Sequence, residues 1–133
     1  MKVLIDTNII LDVLCGREKF LEDAERIFKL CETRRLDGFI SALSIPNIIY
    51  ILRKELDADK VETIVNDLSI IFTIADLKAE DVKKAAGLKF KDYEDAVQST
   101  CAERIGAEYI ITRNVKDFAD SNIPAISSMK FLR

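Results

Sequence analysis

The run Lys2-Val3-Leu4-Ile5-Asp6-Thr7-Asn8-Ile9-Ile10-Leu11-Asp12-Val13-Leu14 decides how the chain is read. Val3, Leu4 and Ile5 are too uniformly apolar for a strand with one wet face, so Lys2 to Ile5 reads as a strand covered on both sides. An acid, a hydroxyl and an amide follow at once, and Ile9, Ile10, Val13 and Leu14 then take up helical spacing.

Working outward, β-rich runs recur at Gly38 to Ser41, Ile70 to Ile74 and Tyr109 to Thr112, with a weaker fifth near Pro124 to Ile126. Helical patterns fill the intervals. Phe20, Ala24, Ile27, Phe28 and Cys31 keep one stripe, opposite Glu22, Glu25, Arg26 and Lys29, in a helix ending near Asp37-Gly38. Ser44 and Pro46 suit a helix start, with Ser44 capping free amides ahead of the apolar stretch Ile48 to Leu56. Val61, Ile64, Val65 and Leu68 mark another helix, and Val82, Ala85 and Ala86 a short one ending near Gly87. Asp92 to Ile105 is the last long helix, closed by Gly106. Short strands alternating with helices predict an α/β fold: a three-layer α/β/α sandwich, Rossmann-like, with a central, mostly parallel sheet of four or five strands. One domain is expected over residues 1–133.

The composition is that of an ordinary globular protein, 49% hydrophobic and 32% charged, with a net charge of −3 that argues against coating nucleic acid by bulk electrostatics. Cys15, Cys31 and Cys101 are an odd, widely spaced set within apolar helical patterns, and they read as buried thiols of a reducing compartment. Only one lysine and three apolar residues separate Met1 from Asp6, too few for a leader or a spanning segment, so no membrane association and a cytoplasmic location are expected. The chain has no histidine, which excludes a Ser-His-Asp triad, a Cys-His pair and imidazole as a base.

Chemistry must then come from carboxylates, amides, hydroxyls, lysine or a metal. In an open parallel sheet, ligands bind beyond the carboxyl ends of the strands. Three places there carry acids: Asp6-Thr7-Asn8 after the first strand, Asp92, Glu94 and Asp95 at the start of the last long helix, and Thr112-Arg113-Asn114 with Lys116-Asp117 after the fourth. Each has an ordinary explanation as well. Asp6 or Thr7 suits a helix cap, Asp92 with Asp95 has the spacing of a cap and its third-position partner, and Asn114 and Asp117 suit side-chain turns. Asp95, however, shares a helix face with Cys101 and Ala102, where an unpaired carboxylate is costly and a cation would remove the cost. Oxygen donors without histidine or thiolate favour Mg²⁺ or Mn²⁺ and suit phosphoryl transfer.

At these residues the chain resembles the PIN-domain nucleases, a family that includes VapC-type toxins of toxin–antitoxin modules. Four blocks carry the resemblance: Val3-Leu4-Ile5-Asp6-Thr7-Asn8, Ile40-Ser41-Ala42-Leu43-Ser44, Asp95-Ala96, and Ile111-Thr112-Arg113-Asn114 with Asp117-Phe118. The resemblance implies a PIN-like fold that cleaves RNA internally with Mg²⁺ or Mn²⁺ held by three or four acids. It matches Asp6 to the first family acid and Asp95 to the third. The second falls near Asn47 and the fourth at Asn114, where an amide adds no negative charge; Asp92, Glu94 or Asp117 is expected to compensate. The implied catalytic set is therefore Asp6, Asp95, Asp117 and Asp92, and the metal set Asp6, Asp95, Asn114 and Asp117. Thr7, Asn8, Asn47, Glu94 and Thr112 support these, and Arg113 and Lys116 meet the RNA backbone. An antitoxin is the implied protein partner, and the apolar stretch Ile45 to Leu52 suits either a homodimer surface or the core.

Two other readings compete. A haloacid-dehalogenase-type phosphotransferase also begins with a strand ending in aspartate, but its second acid would stand where this chain has Asn8. A non-catalytic PIN-like domain, binding RNA or protein, follows if Asn47 and Asn114 remove too much charge from the site.

Overall fold

Lys2–Ile5 forms β1, and in the computed structural model, which describes residues 1–133, β1 is the middle strand of a five-stranded sheet. The others are β2 (Asp37–Ser41), β3 (Thr73–Ala75), β4 (Tyr109–Ile111) and β5 (Ala125–Ile126), in the order β3-β2-β1-β4-β5. Every pairing is parallel, with Val3 opposite Gly38 on one side and Tyr109 on the other. Val3, Leu4, Ile5, Ile40, Ile110 and Ile111 are fully buried, as strands covered on both faces require.

The helices are α1 (Thr7–Leu14), α2 (Glu18–Glu32), α3 (Ser44–Ile51), α4 (Ala58–Ile71), α5 (Ala79–Leu88), α6 (Tyr93–Ile105) and α7 (Ser128–Phe131). Val3 and Ile5 pack with residues of α1, α2, α3 and α4 in one core. Leu4, between them in the strand, points to the opposite face and packs with Cys101 and Ala102 of α6. A smaller group, Ala85, Ala96 and Val97, joins α5 to α6. This is the three-layer architecture expected.

Several boundaries differ. Ile70 to Ile74 is not one strand: Ile70 and Ile71 end α4, and β3 begins at Thr73. The second helix stops at Glu32, before β2 starts at Asp37. Gly87 lies inside α5, whose left-handed end is Lys89 at φ 56°. Cys15 is exposed just beyond α1, whereas Cys31 and Cys101 are buried. Gly38 is needed for close approach, since a Cβ there would collide with Cys31 Sγ and crowd Phe72. No helix is long and apolar enough to cross a membrane.

Candidate active site and metal centre

The carboxyl ends of β1, β2 and β4 open onto one edge of the sheet, and the first polar residues beyond them interlock. Asp6 caps α1, its Oδ1 accepting from the Thr7 amide at 2.8 Å, while its Oδ2 accepts from the Thr112 hydroxyl at 2.7 Å. The same Thr112 oxygen accepts from Asn8 Nδ2 at 3.3 Å and from the Asn114 amide at 3.0 Å. Asn8 Oδ1 in turn accepts from the Arg113 amide at 3.3 Å. The turn after β1 and the turn after β4 are thus tied through Thr112, which uses its one hydrogen on Asp6 and both lone pairs elsewhere.

Asp95 enters from α6. Asp92 caps that helix, accepting from the amides of Glu94 at 2.8 Å and Asp95 at 3.3 Å, and so fixes where the Asp95 side chain leaves the backbone. Asp6, Thr7, Asn8, Leu11, Glu94, Asp95, Gln98 and Asn114 together line a cleft of about 170 Å³. Asn47 reaches its rim indirectly, donating from Nδ2 to Glu94 Oε2 at 3.3 Å.

Neither carboxylate has a lysine or arginine partner; the chain's four ion pairs involve Asp12, Glu103 and Asp81. Asp95 is pushed up to about 7, first by burial and then by the charges of Asp6, Asp92, Asp117 and Glu94. Asp6 is also raised, because burial outweighs the hydrogen bonds from Thr112, Thr7 and Gln98 that favour its charged form. Such uncompensated negative charge, with the carboxylates of Asp6, Glu94 and Asp95 and the amide of Asn114 in one lining that has no histidine or thiolate, fits a hard divalent cation. No group of three His, Cys, Asp or Glu side chains is close enough to cage an ion. The donor set therefore fits Mg²⁺-like binding, in which one or two carboxylates suffice and water and substrate phosphate complete the shell.

The remaining expected residues fall elsewhere. Asp117 sits exposed in the 3₁₀ turn Val115–Phe118 and reaches Asp95 only through its charge; Lys116 is exposed in the same turn. Arg113 does not face the cleft: its Nε pairs with Asp12 Oδ2 at 2.9 Å, and its guanidinium lies 4.2 Å from the Phe20 ring centre. Ser44 makes no cap to α3; its hydroxyl lies 2.8 Å from that of Thr7.

Two buried groups went unread in the sequence. Gln98 donates toward Asp6, Thr7 and Ser44, and the available signal was its position one turn after Asp95. Asp12 is fully buried between Arg17 and Arg113, and its surroundings in Ile10-Leu11-Asp12-Val13 give no hint of either partner.

The family model for the PIN domain matches residues 2–116. The chain belongs to the PIN domain family. The phosphotransferase alternative ends with that assignment, and Asn8, where its second acid would stand, serves instead as a bridge between two turns. Among solved structures, a toxin–antitoxin complex from Klebsiella pneumoniae is similar at 25% identity, with a TM-score of 0.71, covering 95% of this chain and 97% of that one. VapBC2 from Rickettsia felis, bound to a DNA fragment from its promoter, is 16% identical with a TM-score of 0.73, covering 96% and 98%. VapC20 from Mycobacterium tuberculosis, a toxin that cleaves the sarcin–ricin loop, is 12% identical with a TM-score of 0.64, covering 81% and 86%. No curated protein sequence is a significant match.

Proposed function

We propose that this PIN-domain chain is an endoribonuclease dependent on Mg²⁺ or Mn²⁺, acting as the toxin of a toxin–antitoxin pair. The observation that carries the reading is the meeting of Asp6 and Asp95, far apart in sequence, in one cleft lined by no lysine or arginine. Asp6 and Asp95 would hold the ion, with Asn114 offering a neutral oxygen and Asp117 charge from the rim. An ion of this class supplies positive charge against the phosphate and makes a water acidic enough to attack it. Thr112 and the Thr7 amide keep the Asp6 carboxylate in place and favour its ionised form. Lys116 is the exposed cation nearest in sequence to Asn114 and the one we assign to the RNA backbone.

The likeness to toxin–antitoxin complexes supports an antitoxin as partner, and one neighbour's cleavage of the sarcin–ricin loop supports RNA as substrate. Incubation of purified protein with RNA tests the activity: cleavage with Mn²⁺ or Mg²⁺ that chelation abolishes is expected, and intact RNA at millimolar metal would sink the proposal. Expression of the chain alone tests the toxin role, with slowed growth expected and unimpaired growth counting against it.

A second reading, a PIN domain that binds without cutting, is favoured by the absence of a third close acid. Manganese affinity separates the two, since only the nuclease needs to bind the ion.

A further inference from the structure

Gln98 lies on the buried face of α6, only 3% exposed, one turn beyond Asp95. Its Nε2 is 3.0 Å from Ser44 Oγ and 3.4 Å from both Asp6 Oδ1 and Thr7 Oγ1. The Thr7 and Ser44 hydroxyls are themselves 2.8 Å apart. A carboxylate oxygen only accepts, so the nitrogen of the amide faces Asp6. The opposite end, Oε1, is buried with no partner.

That arrangement makes poor sense as packing. A buried amide with an unsatisfied carbonyl destabilises the fold, and an aliphatic side chain of similar size would fill the space without that cost. What the amide achieves is a junction. It joins α6, which carries Asp95, to the first turn of α1, which carries Asp6 and Thr7, and to the first residue of α3, which carries Asn47 one turn on. We infer that Gln98 is a positioning residue: its amide nitrogen holds the Asp6 carboxylate and the Thr7–Ser44 hydroxyl pair at the distance from α6 that lets Asp6 and Asp95 act on one ligand. It does so without charge, so no further acid is added beside two carboxylates that already repel each other.

This inference rests on the nuclease reading for what the pair of acids binds, but the placement of Asp6 can be tested without it. The variant Gln98→Met keeps the volume and removes the amide. Manganese affinity is read from the free-ion spin-resonance signal, melting temperature is taken in chelator, and the Asp6 side chain is located in metal-free crystals of both proteins. Manganese binding weakened at least ~10-fold, the lower end for residues that orient metal ligands, is expected with a melting temperature equal to or above wild type. The Asp6 carboxylate should be displaced in the variant. Affinity equal to wild type, with Asp6 unmoved, would overturn the inference. If the wild-type chain bound no manganese, the nuclease reading would fail, and the crystals alone would decide: Asp6 displaced upholds the role of Gln98, Asp6 in place removes it. Gln98→Ala provides the same readings should the methionine variant fail to fold.

Discussion

At Asp95, burial and the neighbouring charges of Asp6, Asp92, Asp117 and Glu94 all act against the ionised form. Its protonation midpoint rises from 3.8 to about 7 in the folded chain, so between those values the folded state holds a proton that the unfolded state has released. Stability of the metal-free protein is therefore highest from this group below about pH 4 and is lost as pH rises through 7. Melting temperatures in chelator should fall from pH 5 to pH 8. Asp95→Asn removes the charge conflict, so it should flatten that profile and raise the melting temperature at pH 8 while lowering RNA cleavage at least ~100-fold, about 2.7 kcal/mol of barrier. Asp6→Asn should lose activity to the same degree. Retained cleavage in either variant would count against the assigned roles, and a destabilised Asp95→Asn would contradict the electrostatic account. Both acids stand out in the sequence because each follows a recognisable element boundary, Asp6 a buried strand and Asp95 a helix start. Gln98 does not, because an amide on a helix gives no sign of which oxygens the fold will bring to it.

Elements differ in how far their sequence betrays them. Ile70, Ile71 and Phe72 form a short apolar run that strand and helix both accommodate, and here the last turn of α4 claims Ile70 and Ile71, with β3 displaced to Thr73–Ala75. The pairing of Asp12 with Arg113 spans 101 residues, a distance over which no local pattern reports. That pair joins α1 to the turn carrying Asn114, with Arg17 holding the other oxygen at 3.3 Å and Phe20 stacking on Arg113. Removing one member of a fully buried ion pair costs roughly 3–5 kcal/mol, but Arg17 and Arg113 retain 37% and 27% exposure and can rehydrate. Asp12→Asn should accordingly cost about 2 kcal/mol, seen as an earlier urea midpoint with unchanged slope. Because the turn after β4 loses one of its tethers, manganese binding should weaken as well, and affinity unaffected by the substitution would confine Asp12 to stability.

For the molecule as a whole, the parallel order β3-β2-β1-β4-β5 puts the strand ends of β1, β2 and β4 side by side, so residues from three distant stretches share one edge without any being near another in sequence. The cores fold at the expense of crowding acids at that edge, and the divalent ion proposed to bind there, in the folded state alone, would stabilise everything built on the sheet. A ligand at 100 times its dissociation constant adds about 2.7 kcal/mol to folding stability, which for a chain of this size raises the melting temperature on the order of 8 °C. Saturating Mn²⁺ or Mg²⁺ at pH 8 should produce such a rise in wild type, a much smaller one in Asp6→Asn and Asp95→Asn, and none in excess chelator. The dependence should follow the logarithm of metal concentration above saturation, which distinguishes a site from general salt screening, an effect that sodium at equal ionic strength would reproduce. An equal rise in wild type and both acid variants would place the ion somewhere other than between Asp6 and Asp95.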